Sequence, residues 1–121
     1  MADIYGKGPK GKATRLHALI TRSHGKCMHC GNTNPSALQC AHIISRKYGQ
    51  TRTDLDNAFC LCASCHMTFT DHPVEFAKFT IDQIGEDNYY SLYRKSQRTD
   101  KVDWTEEAKR LQEEAKRMGL I

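Results

Sequence analysis

Two Cys-x-x-Cys pairs, Cys27/Cys30 and Cys62/Cys65, are separated by 31 residues near the middle of a 121-residue chain. Four thiolates in two tight turns are the donor set of a tetrahedral structural zinc, and one ion shared between them closes a long loop. The composition makes such a staple necessary. Leu, Ile, Val and Phe supply only 21 residues, fewer than a chain of this length normally needs to hold a core by itself. Disulfides are the rival use of the same residues. No apolar run approaches the ~20 residues that span a bilayer, and Met1–Lys7 lacks the apolar centre of a secretion signal. The expectation is therefore an intracellular, reducing compartment, where paired cysteines bind metal. No thioredoxin-like βαβ pattern surrounds either pair. Cys40 and Cys60 lie outside the pairs and are expected to be buried thiols used as small hydrophobes.

Around the cysteines the chain divides into three parts: a flexible basic arm over residues 1–12, rich in Gly, Lys and Pro, a zinc-bound domain over 13–96, and a helical extension over 97–121. Leu16, Leu19 and Ile20 predict a helix from Ala13 to about Ser23, with Arg15, His17 and Arg22 on its other faces and Gly25 as its stop. Leu38–Ile44 and Ala58–Leu61 predict two strands, joined by a polar loop from Arg46 to Asp56. A helix near Ala63–Thr70 follows the second knuckle. Pro73 opens another helix that runs to Gly85, and Asp87–Lys95 predict a short one. The last helix is signed by Thr105 as N-cap, Glu106 and Glu107 in its first turn, and Lys116 and Arg117 in its last. Glu106–Arg110 and Glu113–Arg117 are spaced to pair along it. Its large apolar residues are Leu111 and Met118, so it is expected to project from the body. The fold class is α+β, a small zinc-stabilised core with flanking helices.

The net charge is +4, distributed as +5 over residues 1–26, +1 over 27–70 and −2 over 71–121. The positive potential precedes and enters the cysteine-bracketed core, where a phosphate backbone would bind. Arg46, Lys47 and Arg52 sit in the polar loop.

His42, Asn57 and His66 fall in the frame that the cysteine pairs set. Phosphodiester hydrolysis needs an activated water, a divalent cation on the scissile phosphate and relief of charge on the leaving 3′ oxygen. A neutral imidazole serves as base near pH 7. A second imidazole and an amide oxygen can hold a cation and leave positions open. Each of the three alone would suit an ordinary surface, turn or capping residue; the joint spacing favours a hydrolytic site. His29, inside the first knuckle, and His72, between Asp71 and Pro73, are expected to be a surface and a cap-adjacent residue.

His42, Asn57 and His66, together with Cys27/Cys30 and Cys62/Cys65, resemble the HNH endonucleases of the ββα-metal (His-Me finger) class. The stretch Cys40-Ala41-His42-Ile43-Ile44-Ser45-Arg46 resembles the small phage and prophage branch. The resemblance covers residues 27 to about 79. It implies a metal-dependent DNA endonuclease that nicks or cuts duplex DNA. His42 would be general base, Asn57 a positioner or metal ligand, and His66 a metal ligand, and the loop that carries Arg46, Lys47 and Arg52 would face the DNA and contact its phosphates. Zn²⁺ would be structural and Mg²⁺ or Mn²⁺ catalytic, with Ni²⁺ or Zn²⁺ as further options. It also implies a cytoplasmic setting in a bacterial or phage-infected cell, DNA as partner, no membrane, and work beside a phage terminase or in recombination. Many members carry Asp or His immediately before the general base, where this chain has Ala41. Either the cation has fewer protein ligands, or Cys40 or His72 completes its shell. The rival class is a non-catalytic zinc-knuckle protein that binds DNA or assists packaging. A zinc deaminase would need His-x-Glu and Pro-Cys-x-x-Cys, and neither is present. Nothing in the sequence fixes the DNA site or an oligomeric state.

Overall fold

The structure is a computed structural model that describes residues 7–121, so the start of the expected basic arm, residues 1–6, lies outside the described residues. Eight elements carry the fold: α1 (Gly8–Arg22), β1 (Leu38–His42), α2 (Gly49–Arg52), β2 (Ala58–Cys62), α3 (Ala63–Asp71), α4 (Pro73–Ile84), α5 (Glu86–Ser96) and α6 (Trp104–Arg117). Two short 3₁₀ turns, Pro35–Ala37 and Leu55–Asn57, lead into the strands. No helix among the described residues is long and apolar enough to cross a membrane.

Residues 8–12, expected as flexible arm, are instead the start of α1. Pro9 stands in the first turn, where a missing amide hydrogen costs nothing and its fixed φ suits a helix. β1 and β2 form an antiparallel hairpin in which Cys40 lies opposite Cys60 and His42 opposite Ala58. Its burial follows from composition. Cys27, Leu38, Ala41, Phe59, Leu61 and Phe69 form one core, and Phe76 and Phe79 of α4 pack on it. All four phenylalanines of the chain meet there, with ring centroids 5.0–6.3 Å apart. Aromatic pairs at that spacing add to plain area burial.

A second core joins α1 to α6 through Ala13, Leu16, Ile20, Ala108, Leu111 and Ala115. The last helix therefore does not project. Ala108 and Ala115 flank Leu111 at helical spacing, and their small side chains let the two helices approach closely, so a thin apolar stripe suffices. Met118 stays exposed. Asp103, rather than Thr105, caps α6 by accepting the Glu106 N–H at 3.1 Å. The ion pairs along the helix are Glu107–Arg110 and Glu114–Arg117, three residues apart, not the four-residue pairs expected. Glu107 is turned inward by Thr53, whose hydroxyl donates to its carboxylate at 2.7 Å. His17 also departs from expectation. It is fully buried on the inner face of α1, not on an outer one.

Candidate active site and zinc cluster

The four sulfurs of Cys27, Cys30, Cys62 and Cys65 lie within 4.8 Å of one another. Gly31, at φ +83°, gives the first knuckle its left-handed turn. Cys62 ends β2 and caps α3, so strand and helix meet at a ligand. Tetrahedral zinc at ~2.3 Å from each sulfur places neighbouring sulfurs about 3.8 Å apart. The Cys30 and Cys62 sulfurs are 3.7 Å apart, so the donor set fits that ion. Each knuckle also turns an amide toward sulfur, Cys30 N–H to Cys27 and Cys65 N–H to Cys62, both at 3.5 Å. Burial opposes charge on Cys27, yet the amides of Cys30, Cys62 and His29 outweigh it and pull the thiol down to about 6. His29 is exposed, as expected, with Nδ1 3.2 Å from Cys65 Sγ and its ring edge-on against Phe69 and Phe79.

His42 closes β1, and its Nε2–H donates to the Arg52 carbonyl at 2.9 Å. That bond selects the tautomer and leaves the Nδ1 lone pair available. Burial lowers its pKa to about 4, outweighing the Arg52 carbonyl, with His17, Arg46 and Arg52 pushing the same way. The imidazole is thus neutral at physiological pH. His66, one turn into α3, donates Nδ1–H to Gln39 Oε1 at 2.7 Å, which leaves Nε2 as its free donor atom. A second-layer acceptor of this kind is what fixes a metal-ligating histidine. His42 and Ser45 from the end of β1 and His66 and Thr70 from α3 line one cleft of about 230 Å³. A larger cavity of about 390 Å³ under α5 has neither histidine nor cysteine in its lining.

Asn57 does not share in that cleft as a ligand. It is fully buried, its Nδ2 donates to the carbonyls of Ile44 and Thr51 at 3.0 and 2.9 Å, and its Oδ1 accepts the Ile44 N–H at 2.8 Å. Of the two roles expected for it, the geometry favours positioner: it pins both ends of the loop that carries Arg52. Arg52, expected as a phosphate contact, is also spent on the protein. Its Nε donates to Thr14 Oγ1 at 2.8 Å and its Nη1 to the Arg46 carbonyl at 3.2 Å. Arg46 and Lys47 are exposed at the mouth of the loop.

Residues 27–76 match the family model described as HNH endonuclease. This segment is similar to the HNH endonucleases. No curated protein and no solved structure matches the chain. The HNH segment spans the hairpin, α3 and the first turn of α4, so it contains the four cysteines and all three of His42, Asn57 and His66. Sequence reasoning passed over Gln39 and His17. Gln39 shares the α3-facing side of β1 with Ala41 by period-two alternation, a signal available in the sequence. His17 falls with Ala13, Leu16 and Ile20 at the 13, 16, 17, 20 spacing of one helix face, the signal that could have marked it as buried.

Proposed function

We propose that the chain is a metal-dependent DNA endonuclease of the HNH type. The observation that carries this is one cleft between two imidazoles, each held in a single tautomer with one lone pair free. The His42 Nδ1 takes a proton from the attacking water as the new P–O bond forms and the bond to the 3′ oxygen breaks. Gln39 aims His66 Nε2 across the cleft toward the phosphate. Asn57 and Arg52 hold the loop so that the Arg52 carbonyl keeps His42 turned. Arg46 and Lys47, near the cleft mouth, contact the DNA backbone, and Arg52 is reassigned from that role to positioning. A divalent cation such as Mg²⁺ or Mn²⁺, when bound, would neutralise charge on the scissile phosphate and leaving oxygen. His66 would be the protein donor that holds it. With Ala41 in place of an acidic ligand, water and substrate phosphate would supply the remaining coordination. One such cleft per chain cuts one strand, so the expected product is a nick.

The test is a supercoiled-plasmid assay in Mg²⁺ or Mn²⁺. Wild type is expected to convert plasmid to the nicked circle, and His42→Ala to lose at least about 100-fold in rate. Undiminished nicking by His42→Ala would overturn the base. No nicking by wild type in either metal, with DNA binding retained, would instead support the non-catalytic zinc-knuckle binder.

A further inference from the structure

Beside the base lie two side chains that hydrolysis does not use, His17 and Cys40. His17 from α1, and Cys40 and His42 from one side of β1, each present one donor atom within 4.8 Å of the others. The cluster is separate from the four-cysteine site. We propose that His17, Cys40 and His42 form a second metal site, suited to a zinc-like ion, whose occupation silences the nuclease.

Three features carry this beyond proximity. First, the spacing fits. A tetrahedral zinc with ligands at ~2.0–2.1 Å for nitrogen and ~2.3 Å for sulfur sets nitrogen and sulfur about 3.6 Å apart, and His17 Nδ1 stands 3.7 Å from Cys40 Sγ. Second, both imidazoles are prepared alike. His17 donates Nε2–H to the Asp54 carbonyl at 2.8 Å, and His42 donates Nε2–H to the Arg52 carbonyl at 2.9 Å. Metal-bound histidines are oriented in this way, the second nitrogen tied to a carbonyl and the first left bare. Third, the donors are a thiol and two imidazoles. Such a set selects zinc over Mg²⁺ or Mn²⁺, which prefer oxygen. Three protein ligands leave a fourth position for water or an anion. On binding, Cys40 gives its S–H proton to solvent and the neutral imidazoles give up none. His17 is fully buried, but Cys40 and His42 are only partly so, and His42 lines the cleft, which provides an entry path.

The metal site stands on this geometry alone. The silencing rests on His42 being the base: its Nδ1 lone pair cannot hold an ion and take a proton from water. The experiment therefore has two readouts. Full-length protein is equilibrated with excess zinc, freed of loose metal, and its zinc counted by elemental analysis. The expected content is two zinc per chain for wild type and for Cys60→Ala, which removes the thiol opposite Cys40, and one for Cys40→Ala and His17→Gln. Cobalt substitution should show the same loss as a weaker thiolate charge-transfer band in Cys40→Ala. One zinc in wild type, or two in Cys40→Ala, overturns the site. In the plasmid assay with Mg²⁺, added zinc should inhibit wild type about tenfold or more and leave Cys40→Ala nearly unaffected. Equal zinc inhibition of both proteins overturns the silencing role. A wild type that takes up two zinc, yet does not nick in Mg²⁺ even when only the four-cysteine site is filled, refutes the nuclease reading while the metal count still supports the site.

Discussion

The carbonyl of Arg52 decides which nitrogen of His42 is free, and burial decides that this nitrogen is unprotonated. A base of ordinary imidazole character would be lost below about pH 6.5. With its pKa near 4, His42 stays neutral well below that, so the acid limb of kcat/KM for nicking should fall nearer 4 than 6.5. A limb centred on 6.5 would show that the ring is not desolvated in the working enzyme. The same shift has a sign for stability. The unfolded chain takes up a proton near 6.5 and the folded chain only near 4, so the contribution is present above 6.5 and lost as pH falls through that window. His17, lowered by its own burial, acts in the same direction. Replacing His42 with Asn should flatten the loss of stability between pH 6.5 and 4, followed by urea midpoints at fixed zinc. Gln39 supplies a prediction of a different kind. Gln39→Ala removes the acceptor that orients His66, so half-saturation of nicking should need about 10–100-fold more Mg²⁺, with less change at saturation. An unchanged metal requirement would argue that His66 does not hold the cation. At this scale the sequence carried residue types and spacing but not hydrogen-bond partners. His42 and His66 were legible as a pair across one cleft. The orientation of Asn57, the inward turn of Arg52 and the burial of His17 depend on contacts with residues 6 to 38 positions away.

The loop between β1 and β2 is the element on which the proposed base depends, and it is held from outside residues 27–76. Arg52 is tied to Thr14 of α1, Asp54 is paired with Lys95 of α5 at 2.6 Å, and Thr53 donates to Glu107 of α6. Burial works against charge on Glu107, but Arg110 and Thr53 more than compensate and hold its carboxyl low. Glu107→Ala strands the buried Thr53 hydroxyl, at a cost of about 1–3 kcal/mol. It should also lower kcat more than it raises KM for DNA, because it loosens the loop beneath His42 and leaves Arg46 and Lys47 in place. A change confined to KM would place Glu107 in DNA binding instead. Element types were legible where periodicity and punctuation were strong: both strands, the Pro73 helix and the Asp87 helix occur close to their expected bounds. The loop was not. Its short α2 and its 3₁₀ turn draw on Thr51 and Asn57 bonds that no local pattern encodes. The packing of α6 was missed for a related reason. An alanine stripe counts as weakly apolar until a partner helix of matching small residues is found.

Two cores, one closed by the four-cysteine cluster and one by helix packing, meet along α1. Its Leu16 and Ile20 belong to the α6 side, while its His17 reaches Cys40, and the Cys60 thiol points at the Arg22 carbonyl. The four-cysteine cluster joins the two knuckles, which the bond from the Met28 N–H to the Cys60 carbonyl also links, and structural zinc contributes roughly 10–16 kcal/mol in small peptides, more than the whole stability of a typical domain. Removing it should therefore unfold the hairpin, α3 and α4. Whether α1 and α6 follow depends on how far the cores share their stability, and the chain carries its own reporter. Trp104, the only tryptophan, packs on the α1–α6 core, whereas all four phenylalanines sit in the zinc core. Because α1 contacts both, we expect one cooperative transition. A strong chelator should abolish the near-ultraviolet circular dichroism and red-shift Trp104 emission with the same midpoint, and zinc should restore both. Leu111→Ala, which opens a cavity in the helix core at about 2–5 kcal/mol, should then lower the chelator concentration needed for both signals. If Trp104 kept its native emission after the zinc core had melted, the C-terminal helix and α1 would form an independent unit. The division of the chain would then fall between the cores, and the loop contacts made by Thr14 and Glu107 would not be enough to couple them.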